Sequence, residues 1–248
     1  MADGGPTSAL YQGIRAMGSV VLAEQTLDEV LELIVSLAVD SLDAVDAASV
    51  TVRREKAAAT THASADIAVA LDAAQYASDR GPCLRAARDG AEAVVAELEA
   101  DDDRWPEFAA TATDRGFRSS VAEPLFVTGR SAGVLNMYSR RPQPEDSTEL
   151  QAIRVFSHHA LVLASNAVSF ATVERLNSQL EDALLTREQI GQATGVLMAS
   201  EGVDADTAFA MLRQASQHAN RKLREIAADV VAALDPHLEP PTDALEPQ

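Results

Sequence analysis

From Ser147 to Leu185 the chain contains neither glycine nor proline. With nothing in it to end a helix, and with apolar residues every three or four positions, this stretch predicts one long helical segment. Phe156, Ala160, Leu163, Ala167 and Phe170 step by fours and threes, and Val173, Leu176, Leu180 and Leu184 continue the row, with one irregularity around Val173. Alternating threes and fours are the spacing of a coiled-coil seam, in which a second helix covers one stripe. The first half of the row fits equally well a helix lying along its own sheet. No partner within the chain is evident for the second half. Leu163, Phe170, Val173, Leu176, Leu180 and Leu184 are therefore dimer-seam candidates, and a homodimer is expected.

Before this stretch the pattern alternates between helices and strands. Leu10 to Val39 reads as helix, broken near Gly18 and restarted with a cap around Thr26. Ala47–Arg54 and Ala57–His62 read as paired strands, Asp66–Ser78 as helix, Asp79 to Pro82 as a turn, and Cys83–Arg88 as a short helix. Ala91–Leu98 reads as a strand and Trp105–Arg115 as a helix ending at Gly116. Arg118–Val127 and Ala132–Ser139 form the clearest hairpin, joined by Thr128-Gly129-Arg130. This order predicts an α+β domain with a largely antiparallel sheet.

After the long stretch, three short helical patterns lie between Leu184 and Leu234. Thr186-x-x-Gln189 fits a capping box that would start the first, which buries Ile190, Ala193, Val196 and Leu197. Gly202 suits a left-handed helix end, and Asp204 suits the cap of a second helix with Ala208, Phe209, Leu212 and Ala215. Asn220 suits the cap of a third, with Leu223, Ile226, Ala227, Val230 and Val231, stopped by Asp235-Pro236. Helices this short must pack together to persist. The expected organisation is a partly disordered N-terminal segment over 1–19, an α+β domain over 20–168, a helical coiled-coil linker over 169–185, an all-α three-helix domain over 174–235 with its core at about 186–235, and a disordered tail over 236–248.

Charge bounds the partners. The net charge is −18, and from Glu181 to Asp235 nine acidic residues face five basic ones. General affinity for a polyanion needs a basic surplus, because each neutralised phosphate releases counterions. Arg213, Arg221, Lys222 and Arg224 nevertheless lie close together, so any nucleic-acid binding is expected to depend on specific contacts rather than on bulk charge. The single cysteine, Cys83, permits no intramolecular disulfide, and no signal-like or membrane-spanning segment opens the chain, so a cytoplasmic protein is expected.

Little in the sequence suggests catalysis. Cys83 follows Gly81-Pro82 near a helix start, where the helix dipole lowers a thiol pKa; it reads either as a reactive thiol or as a small buried hydrophobe. Trp105 and Phe108 either wall a ligand cavity or fill a core. His62, His158, His159, His218 and His237 lack zinc-like spacing, and Asp101-Asp102-Asp103 lacks the ligand register of a calcium loop. Neither phosphate-loop pattern is present, and the only lysines are Lys56 and Lys222. No catalytic residue, metal site or cofactor is expected.

Ala183, Arg187, Ile190, the run Ala193-Thr194-Gly195-Val196-Leu197-Met198, then Ala208, Phe209, Leu212-Arg213, Asn220 and Lys222-Leu223 together resemble the ANTAR domain, a three-helix RNA-binding module of bacterial antitermination regulators. The resemblance covers about sixty residues. It implies binding of paired stem-loop RNA, which keeps a competing terminator hairpin from forming. The RNA contacts it implies are Arg187, Gln192, Thr194, Gly195, Arg213, Asn220, Arg221 and Lys222. Thr194 stands where the family often carries lysine, which removes one phosphate-binding charge. Ala193 and Gly195 lack side chains either to admit RNA or to let helices pack closely.

Arg80-Gly81-Pro82-Cys83, Arg104-Trp105-Pro106-x-Phe108, Gly116-x-Arg118-Ser119, Pro124-Leu125 and Gly133-Val134-Leu135-Asn136 resemble a GAF sensor domain. This resemblance implies an unknown small-molecule or protein signal, with Cys83, Trp105, Phe108 and Ser119 as sensor-pocket candidates. The combined expectation is a homodimeric GAF–ANTAR regulator that binds RNA in response to a signal. A protein-interaction scaffold without RNA binding and a helix-turn-helix DNA-binding regulator are the alternatives.

Overall fold

A computed structural model of the chain describes residues 6–54, 57–99, 102–128 and 131–233. The expected Asp235-Pro236 stop, the tail over 236–248, and Gly129-Arg130 of the hairpin turn lie outside these residues. The fold divides into two compact units, Met1–Thr172 and Val173–Gln248.

In the first unit, α1 (Pro6–Gly18) begins with a proline where its missing N–H costs nothing, so the helix extends into the segment expected to be disordered. α2 (Leu27–Ser41) starts at a full capping box: the Glu29 N–H donates to Thr26 Oγ1 at 3.2 Å, and the Thr26 N–H donates to Glu29 Oε2 at 2.7 Å. Strands β1 (Ala47–Arg54) and β2 (Ala57–Ala63), helices α3 (Asp66–Ser78) and α4 (Pro82–Asp89), strand β3 (Ala93–Val95), helix α5 (Pro106–Asp114), and the β4 (Ser119–Thr128)–β5 (Ser131–Ser139) hairpin follow.

The five strands form one antiparallel sheet in the order β2-β1-β5-β4-β3. β3 is shorter than the strand expected over Ala91–Leu98. Only Ala93–Val95 pair with β4, and the chain then bends so that the Leu98 N–H donates to the Arg118 carbonyl.

Period-two alternation sends the two faces of the sheet to two helical layers. Ala48 and Val50 of β1 and Leu135 and Met137 of β5 join the large core built with Val30, Leu31 and Ile34 of α2. The other face carries Ala47 and Tyr138, which pack with Leu71 of α3 and Phe108 and Ala112 of α5. This is a helix–sheet–helix arrangement.

α6 (Thr148–Glu201) is one continuous helix of 54 residues. Its Ile153, Phe156, Ala160, Leu163, Ala164 and Ala167 are buried in the large core of the first unit, so the first half of the row follows the sheet-packing reading. The helix start expected at Thr186 is absent, because α6 runs straight through it. A Thr-x-x-Gln pattern caps only where the preceding residue leaves the helix, and no glycine or proline there forces it out.

In the second unit the end of α6 packs with α7 (Ala205–Ala219) and α8 (Leu223–Ala232). Gly202 turns the chain at φ +66, and Asp204 caps α7 by accepting the Thr207 N–H at 2.8 Å. Ala193, Leu212 and Ala227 are buried, with Ile190, Leu197, Leu223, Ile226, Val230 and Val231 packed around them. Phe209 and Ala215, expected in this core, are exposed. Asn220 ends α7 rather than starting α8: at φ 50 it is a left-handed cap whose N–H donates to the Gln217 and Ser216 carbonyls. Asparagine tolerates that conformation better than other side chains, which is why it serves a helix end as well as a start. Lys222 precedes α8 with no side-chain cap.

Candidate functional site

Between the sheet and α3 lies a buried polar network. Asp72 is fully buried and accepts four hydrogen bonds: from Ser49 Oγ and Thr60 Oγ1 at 2.7 Å each, from Asn136 Nδ2 at 3.1 Å, and from the Tyr138 hydroxyl. Asn136 Nδ2 also donates to Thr51 Oγ1 at 2.9 Å, and Thr51 and Thr60 both bond the Tyr76 hydroxyl. Gln75 ties the network to α4, with its Nε2 donating to the Tyr138 oxygen and its Oε1 accepting the Cys83 N–H at 2.9 Å. Gly81 permits this last contact, since a Cβ there would collide with the Gln75 side chain.

No cation faces Asp72 among these partners. Burial pushes its carboxyl above the ordinary range, and the four donors only partly offset it. Asn136 Oδ1 is buried without a partner.

Of the four sensor-pocket candidates, Trp105 and Phe108 share one core cluster and Cys83 lies in another. Cys83 is buried, and its thiol is pushed up to about 12 by burial and then by the Asp72 carboxylate. Phe108 packs against Tyr138, with ring centroids 6.3 Å apart, and Trp105 joins the same core, stacked by the Arg104 guanidinium. Ser119 Oγ donates to the Arg141 carbonyl. Ser49, Thr51, Asp72, Gln75 and Tyr138 were not singled out by the sequence. For Ser49, Thr51 and Tyr138 the one sequence signal is polar residues at alternate positions of β1 and β5, whereas Asp72 and Gln75 lie on α3.

On the same unit Glu123 of β4 is half-buried. Burial and the neighbouring Glu92 push its carboxyl up to about 7, and Arg154 of α6 opposes them. Arg154 itself bonds Glu92 at 2.9 Å and Glu145 at 3.2 Å.

In the second unit the candidate RNA contacts separate into groups. Arg187, Gln192 and Gly195 are exposed on α6, and a Cβ built on Gly191 or Gly195 would meet nothing within 4 Å. Tight packing thus accounts for Ala193, which is buried, and not for Gly195. Thr194 turns its hydroxyl back to the Ile190 carbonyl at 2.7 Å. Arg187 borders a shallow cavity of about 410 Å³ with Asp182, Ala183, Thr186, Ile190 and Phe209, and Phe209 is 40 % exposed. Arg213 and Lys222 are exposed. Arg221 is engaged by Asp229 at 2.7 Å and Glu225 at 3.4 Å, so much of its charge is already neutralised. Asn220 is occupied as a cap.

Of the seam candidates, Leu163 is buried in the first unit's own core and Phe170 is half-buried. Val173, Leu176, Leu180 and Leu184 are exposed. Among the described residues no three His, Cys, Asp or Glu gather where a metal ion could be held, and no helix is long and apolar enough to cross a membrane.

Against known proteins, the model of the GAF domain family matches residues 24–163 and that of the ANTAR domain matches residues 178–231. No curated protein matches the sequence. Solved structures similar to this chain include the GAF domain of an Acinetobacter phosphoenolpyruvate-protein phosphotransferase, at 14 % identity and a TM-score of 0.46 over 68 % of this chain and 97 % of that one. The reduced form of fRMsr from Staphylococcus aureus is similar at 14 % identity and a TM-score of 0.47, over 65 % and 96 %.

Proposed function

Because the chain belongs to the GAF family over more than half its length and carries an ANTAR domain after it, the arrangement of an RNA-binding antitermination regulator with a sensor domain, we propose that it binds paired stem-loop RNA through residues 174–235 under the control of residues 20–168. In this reading 169–185 is a helical linker and the working form is a homodimer. The observation that carries it is the open strip on α6: Arg187, Gly191 and Gly195 follow one another every four residues, so they share a helix face, and no side chain covers the two glycines. A bare backbone strip beside an arginine admits a nucleic-acid loop closely and supplies a donor for phosphate or a base. Arg213 and Lys222 would add positive charge, while Arg221 serves mainly its own helix.

The signal enters through the GAF domain as an unidentified small molecule or protein. It acts only if it binds one arrangement of the dimer better than another. The test is affinity for a paired stem-loop RNA against a scrambled RNA of the same length, across a salt series. Preference for the paired element with a shallow salt slope is expected. Equal binding to both RNAs overturns the reading.

A further inference from the structure

The Asp72 network lies against one face of the sheet, and an open cavity lies on the side of the other. It measures about 340 Å³, and its apolar wall is Leu10 of α1, Leu42 and Ala44 at the end of α2, and Ala152 and Val155 of α6. Leu42 and Ala44 belong to the large core, whose sheet residues include Ala48, Val50, Leu135 and Met137. Gly13 lets α1 lie directly on α2 here, since a Cβ there would collide with the Ser41 side chain. A concavity of this size, apolar within and polar at a few points, is the usual form of a small-molecule site.

Its edge is acidic. Asp43 and Glu149 are exposed there, and none of the lining residues is a lysine, arginine or histidine. α2 ends beside it with no basic residue in its last turn, so the partial negative charge of that helix end has no complement on its own helix. Arg141 reaches the Asp43 carbonyl from beyond β5 but does not line the cavity. The start of α6 is already answered: the Leu150 N–H donates to Ser147 Oγ at 3.1 Å, and Glu149 lies in the first turn.

We propose that this cavity binds a small organic cation, an apolar ring body carrying one ammonium group. The body lies between α1, α2 and α6, and the ammonium sits at the mouth beside Asp43, Glu149 and the end of α2. An anion of the same shape would meet two carboxylates and a negative helix end, so charge sets the class of ligand where the apolar wall does not. Three helices touch the ligand, and one of them, α6, runs on past Thr172 into the second unit. A ligand that favours one setting of its first turns would therefore act on an element common to both units. That consequence rests on the sensor reading above, whereas the binding does not.

The test is calorimetric titration of the full-length protein at neutral pH with three probes of one shape: naphthylmethylammonium, naphthylmethanol and naphthylacetate. The ammonium is expected to bind about tenfold more tightly than the acetate, with the alcohol between them. Ala152→Leu, which fills the wall, is expected to abolish binding of all three. Because the chain as a whole is acidic, a local readout separates the site from bulk attraction. Glu149→Gln is expected to lower ammonium affinity about threefold. Glu107→Gln, at the exposed start of α5 in the opposite layer, is expected to leave it unchanged. Melting temperatures of the variants confirm that each is folded. Ammonium binding no tighter than acetate binding, including no measurable binding of either, overturns the proposal. So does ammonium binding that survives in folded Ala152→Leu, or that falls equally in the two glutamine variants. All of these titrations are made without RNA, so a failure to bind stem-loop RNA would count against the reading above and leave this site standing.

Discussion

The Tyr138 hydroxyl donates to the Asp72 carboxylate, joining the end of β5 to the middle of α3 where neither side chain reaches water. Removing that hydroxyl by Tyr138→Phe leaves Gln75 Nε2 without its acceptor and Asp72 with one donor fewer. A loss of about 1–3 kcal/mol in unfolding free energy by urea titration is expected, since a buried group left unpaired carries its full desolvation cost. Asp72→Ala should cost more, because Ser49, Thr60, Asn136 and Tyr138 all lose an acceptor at once.

Glu123 gives the first unit a pH dependence. Its carboxyl is raised from 4.5 to about 7, so between those values the folded protein holds a proton that the unfolded chain has released. Stability therefore declines as pH rises through that window. Glu123→Gln is expected to flatten this part of the profile and to unfold at higher denaturant than wild type at pH 8. An unchanged profile would show that Glu123 is not its source.

Gly195 separates helix stability from binding. With open space around it, Gly195→Ala should stabilise the second unit by about 0.5–1 kcal/mol through backbone entropy alone. If RNA lies against the strip, the same change lowers RNA affinity, and Gly195→Leu lowers it further. A thermal melt and a binding titration on one preparation read both effects.

Arg187 and Arg221 make an internal comparison. Arg187→Ala is expected to weaken stem-loop binding by about 1–3 kcal/mol, the range of a stacked or base-contacting residue. Arg221→Ala should change it less than twofold while loosening α8, because Asp229 and Glu225 already hold the guanidinium. Equal effects on RNA affinity would place Arg221 in the interface after all.

Asn220 is tested by stability. At φ 50, Asn220→Gly is expected to be neutral or stabilising, whereas Asn220→Val should destabilise the second unit by more than 1 kcal/mol in thermal unfolding. A residue acting as an N-terminal cap would instead tolerate serine best and lose most with alanine.

Local signals carried much of the fold. Thr26 with Glu29, the Asp66–Ser78 helix, Asp204 before α7, and the alternating strands of the β4–β5 hairpin all state their structure within a few residues. The same locality misled at Thr186, where a start signal is overridden by the unbroken helix before it, and at Asn220, whose side chain suits both ends of a helix. Phe209 has helical spacing like its core neighbour Leu212, yet only packing decides that one is covered and the other is not. The Asp72 network was hidden for a deeper reason. Its members come from β1, β2, α3 and β5, and no spacing in the chain announces that these four elements meet around one carboxylate.

Cys83, the chain's lone thiol, is sealed beneath Gln75 with its ionisation suppressed. Thiol reagents therefore meet it only when α4 lifts from the sheet. Its labelling rate in the unmodified protein measures the free energy of that local opening. A ligand that tightens the layer would slow the reaction, so the residue offers a direct assay for the unidentified signal, independent of RNA.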